Sequence, residues 1–137
     1  MEEGRQREME GLARRSIDAY NRGDVEALLE QLDEEIEVYT PPELPNAGTY
    51  RGHQGFLQWL GQWDEAWEEF RLEIERIDFV GDRCGVVTVR QFGRGAGSGV
   101  EVEMRIAQLY EMRGDKAARL HYYPDRETAV AAAERLN

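Results

Sequence analysis

The sequence predicts one α+β domain over residues 1–137, with helices and strands in the order ααβαββββα. Three observations lead to this prediction. Apolar residues recur at helical spacing in four segments, they alternate at strand spacing in five others, and short turns join the last four strands in succession. Because strands joined by short turns pair antiparallel, we expect a cone-shaped, curved sheet, antiparallel or mixed, with the helices packed on its concave face.

Two helices joined by a short link open the chain. The first covers about residues 5–22, and Gly23 ends it because glycine adopts the left-handed backbone conformation without steric strain. Asp24 follows at once and can accept the free amide hydrogens of a second helix. The stripes expected to face the core are Met9, Leu12, Ala13, Ser16, Ile17 and Tyr20 in the first helix and Val25, Leu28, Leu29 and Leu32 in the second.

A short strand and an aromatic helix come next. Residues 36–39 form the strand, which ends at Pro41 and Pro42 because proline cannot donate to a β-ladder. We expect a loop to about Tyr50 and a third helix from Gly52. Its aromatic stripe should lie on the sheet, and it consists of Phe56, Trp59, Leu60, Trp63 and Trp67.

The third helix is followed by four long strands. Apolar residues move from even to odd positions near Glu75 and Arg76, which predicts a β-bulge in the first of the four. Residues 86–92 carry apolar side chains on both faces, so we expect a central strand covered on both sides. The glycine-rich segment 93–99 predicts a hairpin turn into the next strand, which covers 100–110.

The chain closes with a strand and a helix. The last strand covers residues 117–123 and ends at Pro124. Asp125 is placed to cap an alanine-rich helix that runs through Leu136. Neither an internal repeat nor a linker interrupts this order, so the sequence predicts a single domain.

Residues 18–41 carry the order that is most specific to a family: helix, glycine stop, capped second helix, acidic turn and a strand ended by a proline pair. This order resembles the opening of SnoaL-like, ketosteroid-isomerase-like domains of the nuclear transport factor 2-like superfamily, and the rest of the chain continues the resemblance. The resemblance implies a cone-shaped cavity that is the usual active site. Members include ketosteroid isomerases, polyketide cyclases, dehydratases and epoxide hydrolases, and also proteins without catalysis, so the fold does not fix a reaction.

Ketosteroid isomerase activity can be tested against the resemblance position by position. Isomerase-type sequences carry an aspartate base before the proline that ends the first strand, an oxyanion tyrosine on the first helix and an acid on the fifth strand. Here those positions hold Thr40, Ser16 and Ile106. None of the three can act as a carboxylate base or a buried acid, so we expect no isomerase activity.

Charged side chains on the strands are the candidates for acid–base chemistry. If the protein is a lyase, isomerase or hydrolase acting on a small organic substrate, these groups would transfer protons and anchor the substrate. The alternation of acids with apolar residues also fits a second interpretation, in which they form ion pairs on the solvent side of the sheet. The candidates are Glu37, Arg90, Glu103, Arg105 and His121.

The leading interpretation is a domain that binds a small, largely apolar molecule in the cone, with no reaction assigned. The residues expected to line this ligand pocket are Tyr20, Thr40, Trp59, Trp63, Gln108 and Tyr122. The remaining alternative is a non-catalytic dimeric structural protein whose cavity is filled by its own side chains. A cavity packed shut by Trp59 and Trp63 would favour that alternative.

Composition limits the partners and the compartment. A net charge of −11 opposes binding to nucleic acid, and no apolar stretch approaches the length of about 20 residues that spans a membrane. Cys84 is the single cysteine, and the first five residues are polar, so we expect a cytoplasmic protein.

Two further expectations concern cofactors and oligomeric state. His53 and His121 have no second ligand at metal-binding spacing, so we expect no metal and no cofactor. Apolar residues on both faces of the strands at 86–92 and 100–110 predict a homodimer formed through the outer face of the sheet.

Overall fold

The computed structural model describes residues 2–43 and 47–136, so the middle of the predicted loop, residues 44–46, lies outside the described residues. The α+β class is confirmed. The elements are α1 (Glu2–Arg22), α2 (Val25–Glu30), β1 (Leu32–Thr40), β2 (Gly48–Arg51), α3 (Gly52–Ala66), β3 (Trp67–Val80), β4 (Cys84–Gly95), β5 (Glu101–Arg113), β6 (Lys116–Tyr123) and α4 (Arg126–Leu136).

The six strands form one open, mixed sheet in the order β2-β1-β6-β5-β4-β3. β1 and β6 run parallel, and the other neighbours run antiparallel. The strand β2 was not predicted, because its four residues lie at the sheet edge, are largely exposed and show no apolar alternation. Backbone pairing with β1 holds it in place, and the order becomes ααββαββββα.

The boundary between α2 and β1 also differs from the prediction. Leu32 was assigned to the second helix, but α2 ends at Glu30 and Leu32 begins β1. The amide of Ala117 donates to the carbonyl of Gln31 at 3.0 Å, which draws this segment onto β6. Leu32 is buried in the core either way, so its hydrophobicity could not distinguish a helix from a strand.

Several local predictions hold. Gly23 has a φ of 70°, and Asp24 Oδ1 accepts the amide of Ala27 at 3.1 Å as the cap of α2. Asp125 Oδ1 accepts the amide of Thr128 at 2.8 Å at the start of α4. The pairing of β3 with β4 shifts register between Ile74 and Arg76, where the bulge was expected.

The two faces of the sheet bury separate apolar clusters. The inner face packs against α1, α2 and α3 in the main core. The expectation that all helices gather on one side is wrong for α4, which packs on the outer face against Cys84, Val86, Ala107 and Leu109. Three alanines of α4 make this close approach possible: Ala129, Ala132 and Ala133.

Helix α1 is fixed across the sheet at both of its ends. Near its start, Arg5 donates to the carbonyls of Asp82 at 3.1 Å and Gly114 at 2.7 Å, in two strand-connecting turns. Near its end, Asn21 Nδ2 donates to the carbonyl of Leu72, and the amide of Leu72 donates to Asn21 Oδ1, both at 2.9 Å. These two hydrogen bonds to β3 help to fix the rotation of α1 about its axis and therefore which of its side chains face the sheet.

Candidate functional site

A cavity lies between the inner face of the sheet and helices α1, α2 and α3. It leaves about 40 Å³ for the centres of water-sized molecules, which corresponds to about three ordered waters. A bound molecule with more atoms would require the surrounding side chains to move. All six residues that the sequence assigned to a ligand pocket line it: Tyr20, Thr40, Trp59, Trp63, Gln108 and Tyr122.

Helix α3 supplies an aromatic wall to this cavity. The rings of Trp59 and Trp63 are parallel within 9°, with centroids 6.0 Å apart, because residues four apart lie on one face of a helix. Trp59 also stacks on Tyr122 of β6 at 5.1 Å, and Trp63 meets Phe70 of β3 edge-to-face at 5.2 Å. The wall offers apolar surface of the kind that binds flat or compact hydrocarbon groups.

On the side formed by β1, β6 and β5, the polar side chains satisfy one another. Trp59 Nε1 donates to Thr40 Oγ1 at 3.1 Å, and the Tyr110 hydroxyl donates to Gln108 Oε1 at 2.9 Å. Burial raises the pKa of Tyr110 and of Tyr122 well above the ordinary range for a tyrosine. These hydroxyls are therefore neutral at every physiological pH.

On the side formed by α1, β3 and β4, three buried polar atoms have no hydrogen-bond partner. They are Ser16 Oγ, Tyr20 OH and Gln91 Nε2. Ser16 and Tyr20 occupy successive turns of α1, and Gln91 pairs in the sheet with Leu72, the residue that Asn21 holds. A buried donor or acceptor without a partner costs about 1–3 kcal/mol, so three together at one cavity call for an explanation.

The Tyr20 hydroxyl lies where the cavity approaches the surface. Burial raises its pKa, and the charge of Asp64 raises it further. The Trp63 indole opposes part of this rise, although the two groups do not meet at hydrogen-bonding geometry. A separate surface depression borders Asp64 and Trp67 and shares Tyr20, Leu28 and Phe70 with the cavity. Those three side chains therefore separate the cavity from solvent.

Within the part of the chain that the structure describes, no Asp, Glu, His, Lys or Arg lines the cavity. The three isomerase positions, Ser16, Thr40 and Ile106, all do line it. The place where an isomerase carries its base and its oxyanion donors thus holds two hydroxyl groups and one hydrocarbon side chain. This lining can donate hydrogen bonds and exclude water, but it has no group suited to taking up a proton near neutral pH.

The charged candidates Glu37 and His121 lie on the outer face of the sheet. His121 Nε2 and Glu37 Oε2 are 2.8 Å apart, and Arg51 Nη1 approaches Glu37 Oε1 at 3.0 Å. Burial lowers the pKa of His121, and Glu37 offsets part of that effect. Burial alone would raise the pKa of Glu37, but the hydrogen bond with His121 and the charges of His121, Arg119 and Arg51 together lower it.

The other charged candidates form ion pairs between strands on the same outer face. Arg90 of β4 pairs with Glu103 of β5, and Arg105 Nε contacts Glu75 Oε1 of β3 at 2.6 Å. The hydrogen bond from Arg105 lowers the pKa of Glu75. None of the five candidate catalytic residues lines the cavity. Their assignment as catalytic groups remains a prediction.

Sequence reasoning did not assign Gln91 and Tyr110 to the pocket. Gln91 lies in a strand with apolar residues on both faces, so the sequence pattern did not show which face of the sheet its side chain lies on. The signal that could have found it is parity, since Val87 and Val89 of the same strand face the inner core. Parity with Gln108 would likewise have found Tyr110. Among the described residues, no group of His, Cys, Asp and Glu side chains is arranged to hold a metal ion.

Comparison with known families agrees with this architecture. The sequence pattern of the SnoaL-like domain matches residues 13–120. The chain belongs to the SnoaL-like domain family. No curated protein matches it at a significant level. No helix of this SnoaL-like domain, within the described residues, is long and apolar enough to cross a membrane.

Several solved structures share the fold. TerC, crystallised with polyporic acid, is 20% identical with a TM-score of 0.75, covering 91% of this chain and 96% of that chain. A nuclear transport factor 2-like protein from Burkholderia xenovorans LB400 is 27% identical with a TM-score of 0.69, covering 93% and 96%. A protein of ketosteroid isomerase-like fold from Catenulispora acidiphila DSM 44928, in complex with trimethylamine, is 17% identical with a TM-score of 0.72, covering 92% and 93%.

Proposed function

We propose that this SnoaL-like domain binds a small, largely apolar, uncharged molecule in the cavity between the sheet and helices α1 and α3. One observation carries the proposal. The cavity combines an aromatic wall with three buried polar atoms that have no partner, on Ser16, Tyr20 and Gln91. Apolar pockets with a few convergent polar groups are the usual form of small-molecule sites.

The energetics favour a binding site over a cavity that only fills the core. A structural core gains stability when buried polar groups are paired or replaced by hydrocarbon. On the β1–β6–β5 side, the pairs Trp59–Thr40 and Tyr110–Gln108 follow this rule. The unpaired atoms on the opposite side oppose it, and a ligand that pairs with them would recover the lost free energy.

Two structures of the same fold lend support, because they were obtained with small organic molecules. TerC was crystallised with polyporic acid, and the Catenulispora protein is in complex with trimethylamine. At 20% and 17% identity these two structures share the fold alone with this chain, so we infer only that such a fold accommodates small molecules. We propose binding and assign no reaction, because the cavity lining offers no proton acceptor.

The proposed route to the cavity passes Tyr20 and Phe70. Their rings meet edge-to-face at 5.2 Å, and both border the surface depression as well as the cavity. The available space of about 40 Å³ is small for an organic ligand, so binding must displace these side chains or the tryptophan wall. We expect ligand association to be slower than diffusion allows, because the protein must first open.

Tryptophan fluorescence tests the proposal directly. Titration with small uncharged ring compounds should shift the emission, because Trp59 and Trp63 line the cavity. Trp63→Phe should reduce the response, whereas Trp67→Phe, outside the cavity lining, should leave most of it in place. A diverse panel of compounds that changes neither the emission nor the melting temperature would overturn the proposal and favour a cavity filled by the protein's own side chains.

A further inference from the structure

The unpartnered atoms of the cavity specify which chemistry a ligand must carry. Gln91 Nε2 can only donate a hydrogen bond, and the Ser16 hydroxyl is free to donate. Both residues are more than nine-tenths buried, with exposures of 4% for Gln91 and 6% for Ser16. Neither side chain faces bulk water, so the acceptor must come from inside the cavity, from an ordered water or from the ligand that replaces it.

Two acceptors of the cavity are already engaged, and Gln91 Nε2 is the one unpartnered atom among the described lining residues that can donate but not accept. Thr40 Oγ1 accepts from Trp59, and Gln108 Oε1 accepts from Tyr110. The β1–β6–β5 side is therefore satisfied, and the side formed by α1 and β4 presents one amide group that can only donate and two hydroxyl groups that are free to donate. This arrangement favours a ligand with an acceptor oxygen over one with only donor groups.

The charges around the cavity restrict the ligand further. A carboxylate or phosphate would have to be buried with no Lys, Arg or His among the described lining residues, and an ammonium would have no Asp or Glu. Asp64 stands near Tyr20 at the surface depression and would repel an anion there. An uncharged ligand avoids both penalties.

We propose that the ligand is an uncharged ring compound with a carbonyl-type acceptor oxygen, which receives hydrogen bonds from Gln91 Nε2 and the Ser16 hydroxyl while its ring packs against Trp59 and Trp63. This inference rests on the proposed function, since it names the ligand chemistry of the same cavity. The Tyr20 hydroxyl, one turn from Ser16, is available as a further donor to the same oxygen.

The test uses three probes of similar shape: acetophenone, isopropylbenzene and benzoate. Isothermal titration calorimetry on the whole chain should give acetophenone an affinity about tenfold higher than isopropylbenzene, because only the ketone pairs with buried donors. Transfer from water alone predicts the reverse order, since isopropylbenzene is the more apolar compound. Benzoate should not bind measurably.

Variants identify the groups responsible. Gln91→Leu should abolish the preference for acetophenone, and Ser16→Ala should reduce it and serves as the second variant if Gln91→Leu does not fold. Gln58→Leu makes the same chemical change at an exposed position of α3 and should retain the full preference.

The outcomes separate this inference from the proposed function. Equal binding of acetophenone and isopropylbenzene, or an unchanged preference in Gln91→Leu and Ser16→Ala, would overturn the inference and leave binding in the cavity standing. Tighter binding of benzoate would also overturn it. Binding of none of the three probes would overturn both the inference and the proposed function.

Discussion

On the inner side of the sheet, Ser16 and Gln91 direct uncharged atoms at a cavity and have no partner, whereas on the outer side Arg105 and Glu75 hold each other at 2.6 Å. The same strands separate these two regions. Inside, the polar groups are neutral and three of them are unpaired, whereas outside the charged side chains form ion pairs between strands, and the atoms left without a partner there, among the described residues, are Thr88 Oγ1 and Arg90 Nε. The charged residues therefore have a structural explanation that the buried neutral ones lack.

The difference shows where a search for function should begin. Exposed ion pairs contribute little to stability and are common on any soluble sheet, so the outer pairs need no ligand to account for them. A buried unpaired amide or hydroxyl lowers stability, and functional sites are where proteins tolerate such a loss. By this argument the inner side is the candidate site, although it holds no residue usually associated with catalysis.

The contrast between the two faces would not hold if the outer face of the sheet were itself a binding site. Helix α4 covers only part of it, and the half-buried rings of Tyr39, His121 and Tyr123 lie beside that part, with centroids 5.4 to 6.5 Å apart and Tyr123 packed against the α4 cluster. We propose that a second copy of the chain covers this patch. Sedimentation equilibrium should give twice the chain mass of 15.8 kDa, and Tyr39→Glu should shift it toward one chain.

The matched control for the dimer is Leu57→Glu, at an exposed position of α3, which should leave the mass doubled. A single-chain mass at micromolar concentration would contradict the proposal. A monomer would leave the aromatic patch exposed to solvent, so the side chains of the outer face would no longer all have a structural explanation.

The loss of stability on truncating a large side chain should differ between the cavity side of the sheet and the filled cluster beneath α4. Trp63→Ala should lower the free energy of unfolding by less than the range of about 3–5 kcal/mol that is typical for a packed aromatic residue, because one side of the ring borders the cavity. Leu109→Ala, in the filled cluster beneath α4, should lose the full amount typical of a buried leucine, about 2–5 kcal/mol. Urea unfolding measures both, and a core-sized loss for Trp63→Ala would indicate that no usable cavity exists.

Removing the unpaired polar groups should stabilise the protein. Ser16→Ala and Gln91→Leu each replace a buried atom without a partner by hydrocarbon, and alanine also has the higher helix propensity, so we expect a gain of about 1 kcal/mol for each. As a control, Thr40→Val removes a hydroxyl that accepts from Trp59 and should destabilise. Destabilisation by Ser16→Ala and Gln91→Leu as well would mean that these groups have partners and that the two sides of the cavity do not differ.

The smallest expected effect is the pH dependence due to His121. Its pKa is lowered in the folded protein, so the unfolded chain binds the proton more readily and stability falls as pH drops below the ordinary value of 6.5. Glu37, whose folded pKa is also lowered, adds a loss of the same sign below about pH 4.5. Arg119 and Glu111 also face His121 and act in opposite directions.

Melting temperatures from pH 7.5 to 5.5 measure the histidine contribution. His121→Gln keeps a donor toward Glu37 but does not titrate, so its stability should decline less over this range than that of the unaltered protein. An identical decline in both proteins would exclude His121 as the titrating group.

Local features of the fold could be read from the sequence because their causes are local. Asp24 and Asp125 precede apolar periodic segments and do cap helices, and the change of parity near Arg76 is the bulge itself. The edge strand β2 and the start of β1 at Leu32 could not be predicted, because backbone pairing with distant segments creates them. The position of α4 depends on which of two apolar faces of β4 it covers, and alternation alone leaves that open.

In the candidate site, too, features with local causes could be predicted from the sequence, and features that depend on contacts between distant segments could not. Six cavity residues were found from spacing and family position, because inward parity places them. The unpaired state of Ser16 and Gln91 could not be found in this way. It depends on how α1 packs on the sheet, where Asn21 makes two hydrogen bonds to Leu72 of β3, the residue that pairs with Gln91 of β4. Such a property exists only once the elements are assembled.

A crystal structure at a resolution that shows ordered waters and small ligands tests the central claim most directly. We predict electron density in the cavity within hydrogen-bonding distance of Gln91 Nε2 and Ser16 Oγ, from water in the unliganded protein and from the ketone oxygen after soaking with acetophenone. An empty cavity in both crystals, with Gln91 and Ser16 bonded to other protein groups and the tryptophan rings filling the space, would contradict the account.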